Sequence, residues 1–174
     1  MDTLLAQEIY QTAHLTGTFQ LRSGRISNDY FDKYLFESEP NLLNRITDQL
    51  IAKIPDNTEL LAGLELGGVP IATALSLKTG IPALFVRKKA KEYGTCKLAE
   101  GMPLSGKNVC IIEDVVTTGG QIVLSANDMR GLGAKVSHAI CVIRREEAAQ
   151  EHLLVNGLQL SSLFTFKDLM TFCK

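Results

Sequence analysis

Residues 107–121 read KNVCIIEDVVTTGGQ and gather the groups from which a site for a phosphorylated polyol can be built. Two adjacent carboxylates, Glu113 and Asp114, close an apolar run from Val109 to Ile112. A turn of Thr117, Thr118, Gly119 and Gly120 follows, and a helical pattern starts at Gln121. Glycines let the backbone approach a ligand closely, and threonine hydroxyls add donors. A helix N-terminus offers free N–H groups and partial positive charge to an anion. Carboxylates repel phosphate, so the acidic pair argues against a simple phosphate loop. It suits a ligand whose hydroxyls or metal ion lie beside the phosphate, such as a ribose 5-phosphate. The same residues also fit an ordinary strand-turn-helix with surface acids.

Two other stretches carry charge for an anion. FQLRSGRISNDYFDKY, residues 19–34, mixes aromatics with Arg22, Arg25 and Lys33 around a Ser-Gly turn. It reads equally as a β-hairpin with solvated charges or as part of an anion site. Residues 87–101, RKKAKEYGTCKLAEG, hold five cations, Arg87, Lys88, Lys89, Lys91 and Lys97, partly offset by Glu92 and Glu100. Such runs are usually charged surface loops, but beside a phosphate crevice they can act as lids over anions.

The elements that must position these groups follow from periodicity. The run 109–112 favours a strand buried on both faces, as in a parallel sheet. In open α/β sheets, ligands sit outside the carboxyl ends of the strands. Residues 2–15 place Leu4, Leu5, Ile9, Thr12 and Ala13 on one helical face, with Asp2 as N-cap and Gly17 as the stop. Pro40 opens a second helix bearing Leu42, Leu43, Ile46, Leu50 and Ile51. Residues 59–66 read as a buried strand, GGVP opens a helix that is apolar through Leu77, and 83–86 form another strand. A helix from Gln121 to Arg130 stops at Gly131. A strand over 134–143, a helix over about 146–155, a strand near 157–163 and a short terminal helix complete the chain. Alternating strands and helices imply an α/β fold, a Rossmann-like open and mainly parallel sheet with helices on both faces.

Composition narrows the class. At 174 residues, one domain is expected, and 45% hydrophobic with 21% charged residues is a globular profile. A net charge of −1 gives no electrostatic reason to expect nucleic-acid or membrane binding, and no apolar run suits a membrane span. Cys96, Cys110, Cys141 and Cys173 are scattered without a C-x-x-C pair, which fits a reduced, cytoplasmic protein. His14, His138 and His152 match no metal spacing. GMPLSGKN, residues 101–108, nearly matches a Walker A loop, but it precedes a strand instead of joining strand to helix, so we reject it.

Taken together, FQLRSGRISNDYFD, LAGLELGGVPIA, VRKKAKEYGTCKLAEG, VCIIEDVVTTGGQ, CVIRREEAA and LSSLFTFKDL cover nearly the whole chain and resemble the type I phosphoribosyltransferases. IIEDVVTTGG is similar to the motif the whole family uses for phosphoribosyl pyrophosphate. The lysine-rich loop after Arg87 and the early S-G-R block resemble the orotate phosphoribosyltransferases more than the adenine or hypoxanthine enzymes.

The resemblance implies a single domain with a small hood, formed by about 1–35 and the C-terminal part, and a flexible loop at about 87–101. It implies transfer of phosphoribose from phosphoribosyl pyrophosphate to orotate, giving orotidine 5′-monophosphate and pyrophosphate in pyrimidine nucleotide synthesis. Lys91, Glu113 and Asp114 would be the catalytic groups, with Glu113 and Asp114 clamping the ribose hydroxyls. Arg22, Arg87, Lys88 and Lys91, with Glu113 to Gln121 (Val115, Val116, Thr117, Thr118, Gly119 and Gly120 between), would bind phosphoribosyl pyrophosphate. Tyr30, Phe31, Thr117 and Arg145 would meet orotate. Mg²⁺ would be the cofactor, held by substrate oxygens with no direct protein ligand. Arg87 and Lys91 would reach a neighbouring subunit's site, implying a homodimer.

Three positions depart from the family pattern. Gly67 stands where many members carry a lysine, Tyr93 where a loop histidine often sits, and Arg144 where an acidic residue commonly precedes the matched arginine. Two other functions remain open: transfer to a purine or uracil, and a non-catalytic sensor of phosphoribosyl pyrophosphate on the same fold.

Overall fold

The computed structural model describes residues 2–20, 24, 26–89 and 98–172. Its centre is a six-stranded sheet in the order β5-β4-β3-β6-β7-β8. The strands are β3 (Leu60–Leu64), β4 (Ala83–Val86), β5 (Ala99–Glu100), β6 (Asn108–Val116), β7 (Lys135–Arg144) and β8 (Gln159–Thr165). All neighbours pair in parallel except β4 with β5. The chain winds outward from β3 to β4, returns to β6 beside β3, and winds the other way through β7 and β8. The strand order therefore reverses between β3 and β6, which is where such sheets open a crevice.

Parallel strands need crossover connections, and the helices supply them on both faces. On one face α5 (Gly120–Gly131) and α6 (Ala148–Val155) bring Ile122, Ala126, Met129 and Leu153 onto Leu60, Val109, Ile111 and Ala139. On the other, α1 (Thr3–Ala13), α3 (Pro40–Ile51) and α4 (Gly68–Thr79) bring Leu5, Ile9, Ile46 and Ile71 onto Cys110, Ile112, Ile140 and Val142. Strand periodicity of two sends Ile111 to one layer and its neighbours to the other. Cys110 and Cys141 are free and buried in these layers, and burial pushes the Cys110 thiol up to about 12.

Outside the main sheet, β1 (His14–Gln20) and β2 (Ile26–Phe31) form an antiparallel pair, followed by α2 (Lys33–Ser38). The last helix, α7 (Phe166–Phe172), packs against α1.

Two boundaries and one additional helix depart most from the sequence reading. The first helix stops at Ala13 and not at Gly17, because His14 already turns extended and the next residues pair with β2, His14 opposite Phe31. Helix α2 was not anticipated; its start is set by Asp32, whose side chain accepts from the Tyr34 N–H. The strand ahead of the Thr-Gly turn does not end before the acids. It continues to Val116 because β7 keeps pairing with it, Glu113 opposite Cys141 and Val115 opposite Ile143. No helix among the described residues is long and apolar enough to cross a membrane.

Candidate active site

A crevice of about 400 Å³ opens at the carboxyl end of β6. Glu113 and the whole run from Val115 to Ile122 line it, joined by Lys33, Tyr34, Glu65, Leu66 and Lys88. Its floor is the junction of β6 with α5. Gly119 caps α5 in the left-handed region, φ 80°, and a Cβ there would stand 2.9 Å from Leu153 Cγ. No side chain caps the helix, so its first-turn N–H groups face the crevice, with only a long Thr118 Oγ1 contact (3.5 Å) to the Gly120 N–H. Thr117 and Thr118 are exposed at the mouth. Gln121 lines the wall, its amide donating to Ser125 Oγ at 3.2 Å. The local design presents unpaired donors to an anion.

The two acidic neighbours take different positions. Glu113 faces the crevice, whereas Asp114 is fully buried behind it. Consecutive residues of a strand point to opposite faces, so this split follows from their lying inside β6. Asp114 Oδ2 meets Lys33 Nζ at 2.5 Å, and Asp114 Oδ1 accepts from the Val115 N–H. Burial opposes the charge on Lys33, but the hydrogen bond and charge of Asp114, with Glu113 beyond, hold its pKa above the usual lysine value. Burial first, and then the charge of Asp114, push Glu113 up to about 8.

Gly67 explains how Asp114 fits. The turn before α4 passes so close that a Cβ on Gly67 would lie 1.5 Å from Asp114 Oδ2. A Cβ on Gly68 would lie 2.2 Å from the Ile112 carbonyl oxygen. No side chain of any kind fits at Gly67 while Asp114 keeps this position. The cation of this corner is Lys33, delivered from α2.

A second cavity, of about 280 Å³, collects Tyr30, Phe31, Arg145 and Phe166 with His14 and Asp29. Arg145 lies over the Phe166 ring at 5.2 Å, and Phe31 meets the same ring edge-on at 5.7 Å. Tyr30 stacks on Phe19 at 5.4 Å. The backbone holds Arg145 there, its N–H donating to the Val116 carbonyl at 2.8 Å. Arg144 is engaged elsewhere: its Nη1 donates to Gln150 Oε1 at 3.2 Å. The two neighbouring arginines thus have different surroundings, Arg145 at the aromatic cavity and Arg144 at Gln150.

The cationic stretch divides. Lys88 lines the crevice, its backbone N–H donating to Glu65 Oε2 at 3.3 Å. Arg87 points away into a neighbouring cavity, with its Nε 3.7 Å from Glu100 Oε1. Arg22, Lys91 and Tyr93 lie outside the described residues.

The sequence reading did not single out Glu37, which lies beside Asp114 behind the crevice, and it counted Lys33 only as one of three early cations. Both lie on α2 at a spacing of four, which puts them on one helix face. That spacing was the available signal. Among the described residues no cluster of three acidic, histidine or cysteine side chains is placed to cage a metal.

Comparison with known proteins gives a single picture. Residues 36–161 match the phosphoribosyl transferase domain family. An orotate phosphoribosyltransferase of a Nocardioides species is 50% identical over 169 residues, covering 97% of this chain and 94% of that protein. One from Methanocella arvoryzae is 41% identical over 171 residues, 98% of each chain. Among solved structures, the Mycobacterium tuberculosis orotate phosphoribosyltransferase with Fe(III) dicitrate superposes with a TM-score of 0.82 at 30% identity, over 96% of this chain and 97% of that one. The same mycobacterial enzyme with 5-phospho-alpha-D-ribosyl 1-diphosphate (PRPP) gives 0.77 at 27% identity, over 97% and 98%.

Proposed function

The chain belongs to the type I phosphoribosyltransferase family, as an orotate phosphoribosyltransferase of pyrimidine biosynthesis, and from that premise we propose how its own residues divide the reaction. The observation that carries the assignment is the convergence of four features on one crevice: the free α5 N-terminus, Glu113, Lys33 and Lys88. The 5′-phosphate of PRPP sits on the α5 N-terminus, taken by the N–H groups of Gly119 to Gln121 and the hydroxyls of Thr117 and Thr118. Val115 and Val116 form the apolar wall beside the ribose. Glu113 accepts from the ribose hydroxyls directly. Asp114 lies one layer deeper under the Lys33 ammonium. An arriving pyrophosphate draws that ammonium away and leaves Asp114 to the remaining hydroxyl.

Orotate enters beside the second cavity, where its carboxylate pairs with the Arg145 fork and its ring lies against Tyr30 and Phe31. Thr117 stands between the two ligands. Breaking the C1–oxygen bond puts positive charge on the ribose and negative charge on pyrophosphate. Lys33, Lys88 and the cations of the 87–101 loop, Lys91 among them, stabilise the second, while Glu113 and Asp114 tolerate the first. No covalent nucleophile is required.

Mg²⁺ fits this site as a companion of the substrate. It prefers oxygen ligands and retained waters, and the buried Asp114 already carries an ammonium. The ion would be held by ribose and pyrophosphate oxygens, and it would supply further neutralisation of the leaving group. Arg87, turned out of its own crevice, supports a homodimer in which Arg87 and Lys91 serve the neighbouring site. A reduced, cytoplasmic setting suits the buried free thiols.

The test is turnover of orotate with PRPP and Mg²⁺, beside adenine, hypoxanthine and uracil. Orotidine 5′-monophosphate should form and the other bases should remain. Turnover of another base with none of orotate would overturn the assignment.

A further inference from the structure

Glu37 has no part in the reaction just described, yet it is built into the wall behind it. Only 6% of it is exposed, and no donor reaches either carboxyl oxygen among the described residues. It lies one helical turn from Lys33 and shares with Asp114 the space that a Gly67 side chain would fill. The missing Cβ would stand 1.5 Å from Asp114 Oδ2 and 3.0 Å from Glu37 Oε1. Two ionised carboxylates in that space would repel, and neither would have a donor from the other. A proton on one converts the contact into a hydrogen bond.

The charged groups facing Glu37 are Asp114 and Glu113 from β6 and Lys33 from its own helix. Helices α1 and α3, which also pack on α2, meet it through the apolar cluster that includes Phe36, Leu5 and Ile46. One ammonium therefore stands against three carboxyls, and the corner approaches neutrality only if protons are retained. Burial first, then the charge and hydrogen bond of Asp114, push Glu37 up to about 9.

We propose that Glu37 is a positioning residue for phosphoribosyl transfer: a neutral carboxylic acid that donates a hydrogen bond to Asp114 and fixes that carboxylate beneath the ribose. The inference rests on the functional reading above. Its value is greatest once pyrophosphate draws Lys33 away, because the Glu37 O–H and the Val115 N–H are then the donors left to a buried carboxylate. The arrangement resembles other buried carboxyl pairs that share one proton because both cannot ionise together.

The experiment compares the full-length wild type with Glu37→Gln and Glu37→Leu, measuring kcat and KM for each substrate from pH 6 to 9.5 and melting temperature alongside. Wild-type orotate turnover is measured first, so failure of the functional reading shows in the wild type and failure of this proposal only in the variants. Gln keeps an N–H donor, so its kcat/KM for PRPP should stay within about threefold, and its decline at alkaline pH should be shallower than in the wild type. Leu fills the volume without a donor, so kcat/KM for PRPP should fall by roughly tenfold or more while KM for orotate holds. Wild-type kcat/KM in Glu37→Leu, or equal damage in Glu37→Gln, overturns the proposal. If the Leu chain does not fold, the alkaline limbs of wild type and Gln decide, and coincident limbs overturn it.

Discussion

Replacing Gly67 with alanine adds one methyl group at the tightest point of the site. An ideal Cβ there falls 1.5 Å from Asp114 Oδ2, 2.3 Å from Asp114 Cγ and 3.0 Å from Glu37 Oε1. Ordinary non-bonded contacts lie near 3.5 Å or beyond, so the Asp114 carboxyl must retreat by roughly 2 Å or the turn must lift off β6. Asp114 cannot retreat freely, because it is fully buried and held by Lys33 and the Val115 N–H. Overpacking of this kind costs about 1–3 kcal/mol, and each kcal/mol lowers the melting temperature of a chain this size by roughly 2–4 °C. A displacement of about 1 Å in a positioned group can cost on the order of a hundredfold in rate. Gly67→Ala should therefore lower kcat/KM for PRPP by about a hundredfold or more, equivalent to about 2.7 kcal/mol in barrier. Gly131→Ala is the control, since nothing lies within 4 Å of its new Cβ, and it should keep full activity. Initial rates of orotidine 5′-monophosphate formation and calorimetric melting measure both effects. A Gly67→Ala chain with near wild-type kcat/KM and an unchanged melting temperature would refute the packing of Asp114 beneath the turn.

Folding stability should decline as pH rises from about 5 to 9. Glu37 and Glu113 start from an ordinary 4.5 and are pushed up to about 9 and about 8, so the folded chain holds protons that the unfolded chain releases. Their stabilisation is complete below about 4.5 and lost through 8 to 9, with a slope of at most about 1.4 kcal/mol per pH unit for each group. Denaturant titrations across that range check it, and stability that rises with pH would contradict the assigned protonation. Arg145→Ala should raise KM for orotate by tenfold or more and spare KM for PRPP, whereas Arg144→Ala, which loses a bond to Gln150, should not. Steady-state kinetics with each substrate varied separates the two. Mixing inactive Lys91→Ala chains with inactive Asp114→Asn chains should restore one working site per heterodimer. Activity that stays absent in proven heterodimers would rule out a shared site.

The part of this site that the sequence discloses is the part that is local. In the β6–α5 junction, the strand, the glycine cap and the helix N-terminus are contiguous, so their geometry follows from residue types and order alone. The same holds for α4 and β4, whose starts match the glycine-proline punctuation and the apolar run. The Lys33–Asp114–Glu37 corner is different. It exists because α2 packs beside β6 and because Gly67 lets two elements approach, and neither fact is written in any one stretch. One consequence was nevertheless readable. Glu113 and Asp114 are consecutive, and once β7 pairing extends β6 through both, pleating obliges them to face opposite ways. They therefore start from different surroundings, one facing the crevice and one buried. Glu113 opens on the crevice, and Asp114 lies behind it, joined to Lys33. The acidic pair of the motif is thus one carboxylate open to the crevice and one held by Lys33. That division also accounts for the place of Gly67, since the room its absent side chain leaves is occupied by the second carboxylate.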